Sequence, residues 1–207
     1  MVIDQSLDGK HVLMIFAHCD DELVCGWPIL QNPKIKKSLI IVSSDRYNSD
    51  RQWCSHRKFV TIDICRSLDI DLTILDYNSE FYKLNHRDGS LAQVEKDILN
   101  AIDKYTFDYL FTHNLHGEYG HLDHKFISNL IFRHCDYPLI MSNITMDSDW
   151  TNKLPVASRY NRSFYTNQIG SFHLDSVFYK RVVDFYETRG VWTWAQQPSS
   201  TCNLYRL

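Results

Sequence analysis

A chain of 207 residues with 44% hydrophobic and 23% charged side chains has the composition of one folded domain that buries a substantial core. Its formal net charge of −3, without a basic stripe or block, excludes an electrostatic case for nucleic acid, and no apolar run approaches the ~20 residues of a membrane span. Six cysteines, at 19, 25, 54, 65, 135 and 202, form no Cys-x-x-Cys pair, and Met1-Val2-Ile3-Asp4-Gln5-Ser6 lacks a basic region followed by an apolar signal core, so buried reduced thiols and a cytoplasmic setting are expected.

The first element is the apolar run Val12-Leu13-Met14-Ile15-Phe16, which carries no polar alternation and reads as a fully buried strand over about 11–17. A helix through Leu23, Trp27 and Leu30 follows, limited or interrupted by Pro28 and Pro33. Leu39-Ile40-Ile41-Val42 marks a second buried strand over 38–44, then a polar loop leads to a helix over roughly 53–68 with Val60, Ile64 and Leu68 on one face. Residues 72–77 form a third strand. Loop residues 85–90 precede a helix with Leu91, Val94, Ile98, Ile102 and Tyr105 at helical spacing. A fourth strand over 107–112, a polar and glycine-containing stretch over 113–123, a helix through Phe126, Ile127, Leu130 and Ile131, and a fifth strand over 138–144 complete the pattern. Asp123 reads as the N-cap of that helix. Strands alternating with helices give an α/β class: a Rossmann-like, doubly wound, mostly parallel sheet with helices on both faces. Past Asp147 the pattern weakens to one more helix over 174–189 and an unplaced tail containing Trp192-Thr193-Trp194. The expectation is a single domain over 1–207, with its core at about 10–146 and an extension over 147–207 that shapes a pocket.

Two stretches carry chemistry. Ala17-His18-Cys19-Asp20-Asp21-Glu22 places a histidine and three carboxylates at the carboxyl end of strand one and at the N-terminus of the next helix. Helix capping accounts for one aspartate but not for the histidine beside it. After strand four, the run from His113 to His124 holds four of the ten histidines within twelve residues. In a doubly wound sheet strands one and four lie side by side where the order reverses, and ligands bind at their carboxyl ends. His18 and Asp21 should then face His121 and His124 across one crevice. Two histidines and a carboxylate with a water in the open position make a common catalytic zinc shell, which leaves one carboxylate and one histidine for proton transfer.

The pair Ala-His-x-Asp-Asp-Glu and Gly-x-Tyr-Gly-His-x-Asp-His resembles the PIG-L/LmbE-like metal-dependent de-N-acetylases over roughly residues 10–135. The resemblance implies His18, Asp21 and His124 as zinc ligands, Asp20 as general base, and His121 as the histidine that assists the tetrahedral intermediate and the leaving amine. It further implies Tyr119 near the reacting carbonyl, Asp123 as a hydrogen-bond partner of a liganding histidine, and Arg57, more loosely, as a substrate contact. Cys19 stands where the family usually has proline, and Val60 where it often has glutamate; neither change removes a ligand or the base. The implied reaction is removal of acetate from an N-acetylglucosamine-type sugar or conjugate, with Zn²⁺ or another divalent ion such as Fe²⁺, Co²⁺ or Mn²⁺.

The nearest alternative is an amidase of the same fold acting on a non-sugar amide or thiol conjugate. A metal-holding or carbohydrate-binding module without turnover would need the ligands but not Asp20. A nucleotide-binding Rossmann protein is disfavoured, because the first strand–helix turn carries carboxylates and no Gly-x-Gly-x-x-Gly. Nothing in the pattern bears on oligomeric state.

Overall fold

The computed structural model describes residues 7–44, 52–85, 87, 89–134, 136–144, 167–192, 194 and 200–207. Strand β1 (His11–His18) lies at the centre, with six consecutive residues fully enclosed. It pairs in parallel with β2 (Lys36–Ser43) on one side and β4 (Tyr109–Thr112) on the other. β3 (Asp71–Tyr77) extends the sheet beyond β2, and β5 (Leu139–Ser142) extends it beyond β4, both in parallel. A strand covered on both faces has no solvent side to reward polar alternation, which is why β1 and β2 read as unbroken apolar runs.

Period-two alternation sends successive side chains of β1 to opposite layers. Met14 and Phe16 join Leu39, Ile41 and Phe111 in a core with Val60 and Ile64 of α3 (Gln52–Ser67) and Val182 and Tyr186 of α6 (Ser176–Glu187). Leu13 and Ile15 join Ile40 and Val42 on the other face, against Val94 and Ile98 of α4 (Ser90–Ile102) and Ile127, Leu130 and Ile131 of α5 (Leu122–His134). Each such fully buried aliphatic or aromatic side chain is worth about 1.5–3 kcal/mol relative to exposure. The layers are those of an α/β fold with helices on both faces.

Beyond β5 the sheet continues with two antiparallel strands that the sequence pattern did not reveal. β7 (Thr201–Arg206) pairs with β5, and β6 (Gln168–His173) pairs with β7, giving the order β3-β2-β1-β4-β5-β7-β6. Both are short and only half apolar, the signature of strands near a sheet edge. Asp175 caps α6, its carboxylate accepting the N–H groups of Val177 and Phe178 at 3.0 Å each.

Two local expectations need correction. The helix after β1 is two single turns, α1 (Asp21–Val24) and α2 (Trp27–Leu30), and the break falls at Gly26 rather than at a proline. A Cβ on Gly26 would lie 2.5 Å from the Glu22 carbonyl oxygen and 2.8 Å from the Phe16 ring, so only glycine lets the chain pass. Pro28 sits in the first turn of α2, where its missing N–H costs nothing. Asp123 is not the N-cap of α5 but lies inside its first turn, with its carboxylate directed elsewhere. No helix among the described residues is long and apolar enough to cross a membrane.

Candidate active site

β1 and β4 are neighbours at the point where strand order reverses, and the two chemistry-bearing stretches leave their carboxyl ends side by side. His113 fastens them together: just past β4, its Nε2 accepts the Ala17 N–H at 2.9 Å. The chain after β1 turns sharply at Asp20, which takes φ 105°. That conformation costs a non-glycine residue on the order of 1–3 kcal/mol. Its surroundings hold it there, since the Asp20 carbonyl accepts from Leu23 and Val24 at 3.0 Å and its N–H donates to Glu22 at 2.9 Å. The second stretch turns at Gly117 (φ 68°), where a Cβ would meet the His121 carbonyl oxygen at 2.5 Å. Asn114 Oδ1 stabilises this turn by accepting the N–H groups of His116 and Glu118 at 3.0 and 3.1 Å.

These turns bring three donor atoms into a triangle. His18 Nδ1 lies 3.3 Å from Asp21 Oδ2 and 3.3 Å from His124 Nε2, and His124 Nε2 lies 3.4 Å from Asp21 Oδ2. Donors about 2.0–2.1 Å from a tetrahedral ion stand about 3.3 Å apart, so the edges fit one divalent ion held from a single face. The protons are arranged to match. The Asp123 carboxylate can only accept, so at 3.1 Å it takes a hydrogen from His18 Nε2, and the neutral ring that a metal requires then turns its Nδ1 lone pair to the triangle. Glu118 likewise takes the Nδ1 hydrogen of His124 at 2.8 Å and leaves Nε2 for the triangle.

The electrostatics favour a cation at that point. Burial alone would lower the pKa values of both histidines, but Asp123 and Asp21 outweigh it and lift His18 to about 10, while Asp21 and Glu118 lift His124 to about 9. Burial works against ionised carboxylates as well, yet His124 and His18 hold Asp21 well below its usual range, and His113 and His124 hold Glu118 at about 2.

Besides this triangle, two further sets of side chains among the described residues have donors close together: His18, His121 and His124, which shares both histidines with the triangle; and Cys25, His113, Glu118 and His124. The second is better read as a hydrogen-bonded support. His113 spends Nε2 on the Ala17 N–H and Nδ1 on Glu118, 3.0 Å away, and its ring stacks on His124 at 3.7 Å between centroids. Burial pushes the Cys25 thiol well above its ordinary pKa, away from the thiolate a metal requires. Glu118 and His113, which the motif reading left without a role, therefore fix the ring of His124.

Asp20 stands beside the triangle. Its Oδ2 lies 2.6 Å from Arg57 Nη1 and accepts the Trp194 indole N–H at 3.0 Å. Burial pushes its carboxyl up, against the pull of Arg57, to about 6. Arg57, expected at the substrate, is 8% exposed and turned onto Asp20, with its Nε donating to the Val191 carbonyl at 3.1 Å. His121 packs edge-on to His18 at 4.7 Å and against His124 at 4.6 Å. Its Nδ1 accepts the Asp123 N–H at 3.2 Å, so a neutral ring carries its hydrogen on Nε2. Burial and the two neighbouring histidines lower its pKa to about 3. Tyr119 forms a wall, edge-on to His124 and Trp194 at 5.4 Å each.

Cys19 turns away from this constellation into the core, with its thiol 3.9 Å from the Ser43 carbonyl and raised in pKa by burial. Cys19→Ser should therefore keep metal content and most activity. Loss of stoichiometric metal in that variant would place the sulfur in the shell. Cys25, Cys65 and Cys202 are also free and buried, while residue 135 and the side chain at 54 lie outside the described residues. Among the tail aromatics, Tyr160, Phe164 and Tyr165 also lie outside them. Phe172 is core, Trp192 packs on Tyr186 at 5.5 Å, and Trp194 reaches the site.

The model of the family PIG-L, GlcNAc-PI de-N-acetylase, matches residues 13–135, well over half of the chain. The uncharacterized protein L374 of Acanthamoeba polyphaga mimivirus is 31% identical over 128 residues, 58% of this chain and 56% of that protein, so the match spans little more than half of the relative. Two crystal structures are similar in fold. The A40926 pseudoaglycone deacetylase Dbv21 has a TM-score of 0.59 at 15% identity, covering 88% of this chain and 83% of its own. A triple mutant of the deacetylase Orf2*, from teicoplanin biosynthesis, has a TM-score of 0.60 at 13% identity, covering 95% and 98%.

Proposed function

The chain belongs to the PIG-L family, and on that premise we propose that it is a metal-dependent hydrolase that removes the acetyl group from an N-acetylglucosamine-type sugar or sugar conjugate. The observation that carries this reading is a carboxylate poised beside, but outside, the three-donor triangle: a binding site alone needs His18, Asp21 and His124 but not Asp20. Membership of a family of GlcNAc-PI de-N-acetylases supports the sugar and the acetyl group, and the deacetylases of like fold support the acetyl group.

In this proposal His18 Nδ1, Asp21 Oδ2 and His124 Nε2 hold a divalent ion, zinc by its preference for such a shell, with Fe²⁺, Co²⁺ or Mn²⁺ also suited to it. When bound, such an ion polarises the carbonyl and lowers the pKa of water to ~7. Asp20 takes a proton from the attacking water as the new C–O bond forms. His121, whose neutral ring keeps its hydrogen on Nε2 because Nδ1 accepts the Asp123 N–H, donates a hydrogen bond from Nε2 to the tetrahedral intermediate, and the proton held by Asp20 passes to the amide nitrogen as the C–N bond breaks. The products are the free amine and acetate. Tyr119 walls the side where the carbonyl sits, Asp123 and Glu118 hold the ligand rings, and Arg57 acts on Asp20. In the same proposal the described residues of the tail, in β6, α6 and β7, belong to the same single domain and shape the pocket, as the joining of β6 and β7 to the core sheet supports.

The test is acetate release by the purified full chain over a panel of N-acetylhexosamines, nucleotide sugars, lipid-linked sugars and non-sugar acetamides. Release from an N-acetylhexosamine compound is expected. Activity confined to the non-sugar amides would replace the sugar reading with the amidase.

A further inference from the structure

Two contacts reach the loop of Asp20 directly, and a third reaches it through Arg57, from one stretch of chain between Tyr186 and Trp194, which lies outside the family-matched segment. Tyr186 donates its hydroxyl to Glu22 Oε1, and the other Glu22 oxygen accepts the Asp20 N–H at 2.9 Å. Both side chains are fully buried, and Thr61 Oγ1 lies 3.1 Å from the same hydroxyl. The Val191 carbonyl accepts from Arg57 Nε, and Arg57 Nη1 meets Asp20 Oδ2. Trp194 Nε1 donates directly to that same oxygen. Its ring is set edge-on to Tyr119, at 5.4 Å and 69°, and so packs into the wall of the metal triangle.

Both side-chain donors fall on Oδ2. No donor among the described residues falls on Oδ1. The terminal torsion of an aspartate is broad and nearly two-fold, so a carboxylate without such contacts exchanges its oxygens freely. We propose that Trp194 is a positioning residue for the base: its indole N–H, with Arg57, pins Oδ2 and presents Oδ1 to the water. The inference rests on the reading of Asp20 as base. Glu22 and Tyr186 do the same for the backbone, holding the left-handed turn from which the carboxylate projects.

Trp194→Phe keeps an aromatic ring against Tyr119 and deletes only the N–H. It should lower kcat about 10-fold, equivalent to ~1.4 kcal/mol, with KM and bound metal unchanged, and Trp194→Ala should lose kcat at least as far. A ring that only packs would leave Trp194→Phe at wild-type kcat while Trp194→Ala fell, and a sugar-stacking platform would raise KM in Trp194→Ala; either result overturns the proposal. A second readout needs no substrate. In ¹⁵N-labelled protein the Trp194 indole resonance, identified by its absence from Trp194→Phe, should exchange slowly with solvent, and Asp20→Ala should move it and speed its exchange. An indole signal indifferent to Asp20 would overturn the proposal even if the wild-type chain released no acetate.

Discussion

Asp20→Asn should emerge with its metal in place and its acetate release lowered by roughly 10²–10⁴-fold, the usual worth of a general base. The carboxylate has no edge in the donor triangle, so removing its charge leaves His18, Asp21 and His124 where they are. Asparagine fills the same space, and its carbonyl oxygen satisfies Arg57 and the Trp194 N–H. The oxygen that would take the water's proton then becomes an amide nitrogen with no proton affinity at neutral pH. Elemental analysis of dialysed protein and an acetate assay on the same preparation decide the matter. A metal-free Asp20→Asn would move Asp20 into the shell.

Glu118→Gln should weaken metal binding by about 10–100-fold, the typical cost of losing a partner that orients a ligand. This fully buried carboxylate accepts hydrogens from His113 Nδ1, His124 Nδ1 and the Asn114 N–H. A neutral amide offers one carbonyl oxygen, so its NH₂ group must face either the two imidazole N–H groups that share Oε2 or the Asn114 N–H on Oε1. His124 then loses the charge-assisted bond that fixes both its ring orientation and its proton on Nδ1. The stranded donor also destabilises the fold by about 1–3 kcal/mol, so urea unfolding should shift along with chelator competition. Unchanged affinity for zinc in a chelator titration would show that Glu118 does not govern the ring of His124.

The central sheet was legible because β1 and β2 are enclosed on both faces and carry nothing polar to confuse the pattern. The pairing of β1 with β4 followed from the alternation of strands with helices, and that pairing made His18 and His124 neighbours. β6 and β7 were illegible for the opposite reason: half-exposed strands such as Thr201–Arg206 bury only every second residue, and a Cys-x-Leu alternation is weak beside the runs in β1. The capping expectation for Asp123 failed because a carboxylate beside a histidine and two backbone donors has better partners than its own helix; it accepts from His18, Glu80 and Tyr82. Glu118 stood in plain view among the four histidines, and a buried carboxylate between two glycines was the available signal. Trp194 and Tyr186 carried no such signal, because their distance from Asp20 in sequence is closed only by the packing of α6 on the sheet.

The central claim is that His18, Asp21 and His124 form the seat of one divalent ion. It is tested most directly by elemental analysis of the wild-type chain and Asp21→Asn, dialysed side by side. The geometry predicts near one ion per wild-type chain and a clear deficit in Asp21→Asn, partly restored by added zinc. Equal metal in the two proteins would contradict it.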